Sequence, residues 1–161
     1  MAENSPDLSG KIGHVILGAT KAEGGTRTVS YHPGGESDLP FLGMKTGEGS
    51  VPLVAFEICD DPDYWSPIVT SYVGDLVKDT QGWAGAAEKQ YGADLVRLYL
   101  TSTKRRGFDD FPAITKVMEG VLSGTGLPLV IEGSNEPAID SEVFQRCGEA
   151  GQGERLLLGT A

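Results

Sequence analysis

Hydrophobic positions along this chain come in two textures. Up to residue 51 they form short runs divided by glycine and proline. Beyond it, strand-length apolar runs take turns with stretches of helical spacing. His14-Val15-Ile16-Leu17-Gly18 is a short apolar run, and Thr26-Arg27-Thr28-Val29-Ser30-Tyr31 alternates polar and β-branched residues. Between them, Lys21-Ala22-Glu23-Gly24-Gly25 is turn chemistry, because glycine accepts positive φ. The pattern predicts a β-hairpin. Residues 1–10 are polar and read as a loose terminus. Residues 32–51 hold Pro33, Gly34, Gly35, Pro40, Gly43, Gly47 and Gly49 and read as irregular. The first unit is therefore a hairpin with an irregular segment over 11–51.

The second unit, 52–161, reads as β/α. Leu53-Val54-Ala55-Phe56-Glu57-Ile58 is apolar almost throughout, as a strand buried on both faces should be. Asp60-Asp61-Pro62 ends it, and Pro67 and Gly74 break up the next stretch. An alanine-rich helix is expected over 82–91, closed by Gly92, then a strand over 95–100. A helix over 111–123 places Ile114, Val117, Met118, Val121 and Leu122 on one face, with Asp109 or Asp110 as cap and Pro112 in its first turn. A strand over 127–131, a helix over 140–150 and a strand over 156–158 complete the pattern. Such an order requires parallel strands joined by crossovers. Two architectures fit: an open doubly wound sheet, or half of a (β/α)8 TIM barrel preceded by the hairpin. A complete barrel needs roughly 250 residues, and this chain has 161.

The strand faces that would line a barrel read as apolar: Val54, Phe56 and Ile58 alternate with Leu53 and Ala55, and Leu156-Leu157-Leu158 has no polar side. Two open sheet edges then predict self-association, or completion by a second half-barrel chain.

Charge changes the picture by exclusion. The net charge is −10, which argues against a nucleic-acid partner, since phosphate binding needs a clustered basic face. The short basic run Lys104-Arg105-Arg106 reads as a solvated loop. No apolar run approaches the roughly 20 residues of a membrane span, and the N-terminus lacks the pattern of a signal peptide. The two cysteines, Cys59 and Cys147, form no CxxC. An iron–sulfur cluster on this chain alone is not expected, because a cluster is usually held by four thiolates. Isolated thiols without an export signal point to the cytoplasm.

In either architecture, ligands gather at the carboxyl ends of the strands. That selects Glu57, Cys59, Asp60 and Asp61, then Thr101, Ser102 and Thr103, then Glu132, Gly133, Ser134 and Asn135, and finally Gly159 and Thr160. The set is rich in hydrogen-bonding groups and holds no nucleophile–base pair. Glu57, Asp60 and Asp61 suit acid–base work, but Asp60 and Asp61 equally suit capping of the next segment. His14 reads as a strand residue. Cys59 reads as a buried thiol rather than a reactive one, and Trp65 and Trp83 as packing between helix and sheet. Gly18-Ala19-Thr20-Lys21 with Gly24-Gly25-Thr26 lacks phosphate-loop spacing.

Specific words in the chain carry a resemblance. They are Val15-Ile16-Leu17-Gly18-Ala19-Thr20-Lys21, Gly24-Gly25-Thr26-Arg27, Pro33-Gly34-Gly35, Leu39-Pro40-Phe41, Trp83-Ala84, Tyr91-Gly92-Ala93-Asp94-Leu95-Val96, Leu127-Pro128-Leu129-Val130-Ile131 and Glu154-Arg155-Leu156-Leu157-Leu158-Gly159. In this order they resemble the small subunit of the corrinoid iron–sulfur protein, the family that includes the delta subunit of acetyl-CoA decarbonylase/synthase (CO dehydrogenase) complexes. The resemblance implies the first half of a TIM barrel behind an N-terminal hairpin. It implies a non-catalytic subunit that cradles a corrinoid (cobamide) jointly with a large corrinoid iron–sulfur subunit. Methyl transfer would run from a methyltetrahydropterin to acetyl-CoA synthase in the reductive acetyl-CoA pathway, with the methyltransferase and the synthase as transient partners. Strand-end position makes Glu57, Asp60, Thr101, Ser102, Ser134, Asn135 and Thr160 the candidate cofactor-binding residues. An alternative is a pterin-dependent methyltransferase-like barrel, with Glu57, Asp60, Asp61 and Asn135 holding the pterin. A third reading is an inactive interaction fragment.

Overall fold

The computed structural model describes residues 13–35, 52–104 and 110–159. Four strands, β1 (Ala55–Cys59), β2 (Leu95–Tyr99), β3 (Leu129–Glu132) and β4 (Leu157–Gly159), form one parallel sheet in the order β1-β2-β3-β4. Between them lie four α-helices: α1 (Pro67–Val73), α2 (Thr80–Lys89), α3 (Phe111–Gly124) and α4 (Pro137–Ala150).

Register partners in a parallel sheet point to the same face, so the ladder sorts the strand residues into two sets. One set is Phe56, Val96 and Leu129, followed by Ile58, Leu98, Ile131 and Leu158. Ile58, Val96, Leu98, Leu129 and Ile131 are buried in one core with Trp83, Ile114, Met118, Val121, Val143 and Cys147 of the helices. The other set runs through Glu57, Arg97, Val130 and Leu157, then Cys59, Tyr99, Glu132 and Gly159. A doubly wound sheet reverses its strand order and carries helices on both faces. This sheet does neither: its order follows the sequence and its helical core lies against one face. The architecture fits half a barrel.

The helices form where local chemistry agrees with packing. α3 buries Ile114, Met118 and Val121, with Val117 and Leu122 packed at the margin of the core, the face its periodicity gives. Asp110 stands at its N-cap position without a side-chain cap bond. α2 buries Trp83, Ala84, Gly85, Ala86 and Ala87, and its small residues let α2 and α3 approach. Asp79 caps α2, accepting from the Gly82 N–H at 2.9 Å. Two expectations differ from the structure. Pro67 was expected to break the chain and instead opens α1, with Ser66 as N-cap. Pro137 opens α4 three residues before the expected start. Proline lacks an N–H that the first helical position does not need, and its fixed φ already suits a helix. β1 is also an edge strand rather than one buried on both faces: Val54 is 63% exposed and Phe56 and Glu57 are half-buried.

Residues 13–35 double back without building the expected hairpin. Only isolated bridges join the two arms, His14 with Gly34 and Leu17 with Tyr31 in antiparallel sense and Thr20 with Arg27 in parallel sense. Leu17 and Tyr31 exchange backbone bonds at 2.9 Å and Val15 N–H donates to the Pro33 carbonyl at 3.1 Å, while other backbone bonds leave the arm. Gly18 N–H donates to the Arg155 carbonyl at 3.0 Å and Thr28 N–H to the Gly126 carbonyl at 2.8 Å. Gly18 sits at φ 81°, and a Cβ there would come within 2.6 Å of Pro128. The arm thus lies across the amino ends of β2, β3 and β4, bonding to Asp94, Gly126 and Arg155 just ahead of them. The expected irregular segment falls mostly on residues 36–51, outside the described residues, as do the terminus 1–10, Arg105, Arg106 and Thr160.

Candidate functional site

The open sheet face is polar at its centre, which corrects the expectation of an apolar lining. Arg97 of β2 forms ion pairs with Glu57 of β1 on one side and Glu132 of β3 on the other. Their side chains are 30%, 24% and 8% exposed respectively, so Arg97 and Glu57 are partly open to solvent and Glu132 is buried. Residues that look apolar in sequence, Phe56 and Ile58, point to the helices instead. The strand register, invisible in composition, puts Glu57 beside Arg97 and Glu132 diagonally across from it on the same face.

Aromatic rings continue this row toward the carboxyl ends. The Arg97 guanidinium lies 5.6 Å from the Tyr99 ring centroid, a cation–π distance. Tyr64, from the loop after β1, meets Tyr99 edge-on at 5.2 Å and Trp65 at 5.1 Å, and Trp65 meets Trp83 at 5.7 Å. The Asn135 amide donates to the Tyr99 hydroxyl at 3.3 Å. Asn135 adopts φ 65°, a left-handed conformation that asparagine tolerates better than most residues.

The other candidates at the strand ends are bonded into the loops. Asp60 accepts from the Ser102 N–H at 3.0 Å and from the Ser102 hydroxyl, and both residues are buried. Thr101 Oγ1 lies 3.2 Å from Cys59 Sγ. Burial, above all, pushes the Cys59 thiol above its usual range, and Cys147 is likewise pushed up to about 12. Both are buried thiols, consistent with packing rather than reactivity. Asp61 accepts from the Asp63 N–H at 3.1 Å. Asp140 in the first turn of α4 accepts from Ser134 N–H at 2.7 Å, Ser134 Oγ at 2.9 Å and Glu136 N–H at 3.1 Å. A carboxylate there also favours the helix N-terminus. Gly133 makes room for it, since a Cβ at that position would collide with the Asp140 carboxyl group.

The structure therefore gathers Glu57 and Asn135 on the open face, while Asp60, Thr101, Ser102 and Ser134 brace the loops beneath it. Sequence reasoning missed Arg97 and Tyr99. Their signal was an arginine and a tyrosine at alternate positions of an otherwise apolar strand, Leu95-Val96-Arg97-Leu98-Tyr99-Leu100. Among the described residues, no group of three or more His, Cys, Asp or Glu side chains could hold a metal ion, and no helix is long and apolar enough to cross a membrane.

A groove of about 690 Å³ opens at the other end of the sheet, among Thr26, Arg27, Glu88, Thr125, Gly126 and Glu154. These six residues are bonded among themselves or to the backbone around them. Arg27 donates to Glu154 at 2.8 Å, to Thr26 Oγ1 at 2.6 Å, and to the carbonyls of Thr125, Leu127 and Leu122 at 2.7, 3.3 and 2.8 Å. Glu88 accepts from Thr125 Oγ1 at 2.8 Å and Gly126 N–H at 2.9 Å. This concavity is a clamp between the arm and the end of α3, and it lies away from the carboxyl ends where β/α ligand sites form.

No family model matches this chain. Curated homologues do. The chain is similar to the acetyl-CoA decarbonylase/synthase complex subunit delta of Archaeoglobus fulgidus, 37% identical over 157 residues, which is 96% of this chain and 34% of the relative. The subunit delta of Methanopyrus kandleri is 31% identical over 154 residues, covering 94% of this chain and 38% of the relative. That of Methanosarcina mazei is 30% identical over 162 residues, covering 98% and 36%. The chain spans little more than a third of the length of these relatives. They carry the family name to which the motif words pointed.

Proposed function

We propose that this chain is a delta-type subunit that helps to cradle a corrinoid for methyl transfer within an acetyl-CoA decarbonylase/synthase complex, and that its sheet is half of a (β/α)8 barrel. One observation carries the reading: the 37% identity to a delta subunit extends over 96% of the chain. The open face supports it. A corrinoid presents a ring rim of amide groups, which both donate and accept hydrogen bonds. Glu57 offers acceptors, Arg97 donors, and Asn135 both. The half-exposed Tyr64 ring adds an apolar surface. The donor set suits the rim and not the metal: His14 and His32 belong to the arm, and both thiols are buried.

When bound, the corrinoid supplies the methyl-carrying centre. The chain's own part is to bind and orient. Arg97, held between two carboxylates, fixes Glu57 and Glu132 in position. Asn135, in its left-handed turn, directs its amide to the Tyr99 hydroxyl and steadies that ring. Asp60–Ser102 and Asp140–Ser134 hold the loops at the rim. The partner in this reading is a large corrinoid iron–sulfur subunit that carries the cluster, and the setting is the cytoplasm.

Co-expression with that subunit tests the proposal. A cobalamin-type visible spectrum should appear in the joint complex and be nearly absent from the chain alone. A stoichiometric iron–sulfur cluster on the isolated chain overturns it. Methyl transfer from a methyltetrahydropterin by the isolated chain would instead favour a pterin-dependent enzyme.

A further inference from the structure

A cavity of about 250 Å³ lies after the carboxyl end of β3, between the loop and the first turns of α4, lined by Asn135, Pro137, Asp140, Ser141 and Phe144. It adjoins the candidate site, because Asn135, one of its walls, donates to the Tyr99 hydroxyl on the open face at 3.3 Å. It also stands at the end of the sheet where ligands of β/α folds gather. Size limits the occupant. Small-molecule sites usually enclose about 300–1,000 Å³, so this cavity suits one side arm of a larger ligand rather than the whole of it.

The polar atoms of its wall choose the chemistry. Ser141 Oγ gives its one proton to the Pro137 carbonyl at 2.9 Å, which leaves its lone pairs to accept. The Asn135 amide nitrogen is turned to Tyr99, which leaves its amide oxygen as an acceptor. Asp140 takes two bonds from Ser134 on Oδ1 and one from the Glu136 N–H on Oδ2, so Oδ2 keeps room for another donor. The cavity therefore offers acceptors and calls for N–H. The Asp140 carboxylate repels an anion. A cation is not required either, since that carboxylate already has three donors and the positive end of the α4 dipole. Pro137 and Phe144 add apolar wall, against which a charged group would lose its water. A neutral primary amide meets all of these conditions. We infer that this cavity receives one primary-amide side arm of the ligand held on the open face, its NH2 group donating to the acceptors of that wall. The inference rests on the proposed function, in which that ligand is a corrinoid with amides on its rim.

The test titrates the joint complex with the large corrinoid iron–sulfur subunit, using two probes read by visible absorbance. Cobinamide carries primary-amide side arms; heptamethyl cobyrinate carries methyl esters in their place and has no N–H to donate. Wild type should bind cobinamide the more tightly. Ser141→Leu fills the cavity from an exposed position and should narrow that preference about 10-fold. Its melting curve and circular dichroism should match wild type. Ser141→Gln, whose own amide enters the cavity, should narrow the same ratio and serves as the measurement if the leucine variant misfolds. A ratio within twofold of wild type in a folded variant overturns the amide pocket and leaves the proposed function standing. Absence of cobinamide binding by the wild-type complex overturns both.

Discussion

Two arginines of this molecule each hold carboxylate, yet their surroundings differ. Arg27 and Glu154 are 2% and 9% exposed, and the guanidinium also donates to three backbone carbonyls around the end of α3. Arg97 is 30% exposed and shares its charge between two glutamates on neighbouring strands. A buried charge is tolerable when every donor is satisfied, and Arg27 meets that condition within the chain. The Arg97 row instead carries two negative charges to one positive, with Glu132 buried and Arg97 and Glu57 partly open to water. The first arrangement is finished as it stands and serves the fold. The second leaves charge, acceptor capacity and ring surface available, as a binding face requires.

The sharpest way to break this comparison is to remove each arginine. Arg27→Met leaves Glu154 buried without its partner and strands the carbonyls of Leu122, Thr125 and Leu127. A loss of about 3–5 kcal/mol is expected in urea unfolding; a loss under about 1 kcal/mol would show that the clamp does not hold the arm. Gly133→Ala tests whether the carboxyl end has its own rigid support. The added methyl must displace Asp140 from Ser134 and Glu136, at a cost of roughly 1–3 kcal/mol, with looser corrinoid retention in the joint complex. Arg97→Met should lower stability by about 1–3 kcal/mol, less than Arg27→Met because Arg97 and Glu57 are partly exposed although Glu132 is left buried without its partner, while strongly reducing corrinoid retention. Equal stability losses for Arg27→Met and Arg97→Met would erase the distinction between the two sites.

The smallest effect concerns acid. The Thr20 backbone N–H, helped by its hydroxyl and by Arg155, holds the Glu23 carboxyl down at about 2. Its folded value lies below its unfolded one. The stabilisation is therefore present above the ordinary carboxylate range and is lost as pH falls toward about 2. Glu23→Gln should flatten that acid limb in thermal melts between about pH 5 and about pH 2 and change little at neutrality. An unchanged limb would mean that the contact between arm and β4 does not titrate through Glu23.

Much of the fold was legible because its signals are local. The apolar stripe of α3, the small residues of α2 and the runs that became β2 and β3 carry their periodicity in the chain itself. α1 was missed because a proline that begins a helix and one that breaks it look alike until the neighbouring N–H groups find their partners. The hairpin is not shown as paired strands: its arms meet antiparallel at His14 with Gly34 and Leu17 with Tyr31, but Gly18 and Thr28 spend their backbone bonds on Arg155 and Gly126, more than a hundred residues from Gly18 and nearly as far from Thr28.

The candidate site divides in the same way. The sequence by itself determined that polar residues come after each strand and that its motif words resemble delta subunits, because residue type and order are enough for both. Only the tertiary structure decided which of those residues are available. Asp60 and Ser102 satisfy each other, Asp140 takes up Ser134, and parallel register sets Glu57 beside Arg97 with Glu132 diagonally across on the same face. Side-chain direction alternates with every residue of a strand. Which charge meets which is therefore fixed by pairing between segments some forty residues apart, and no reading of one segment alone contains it.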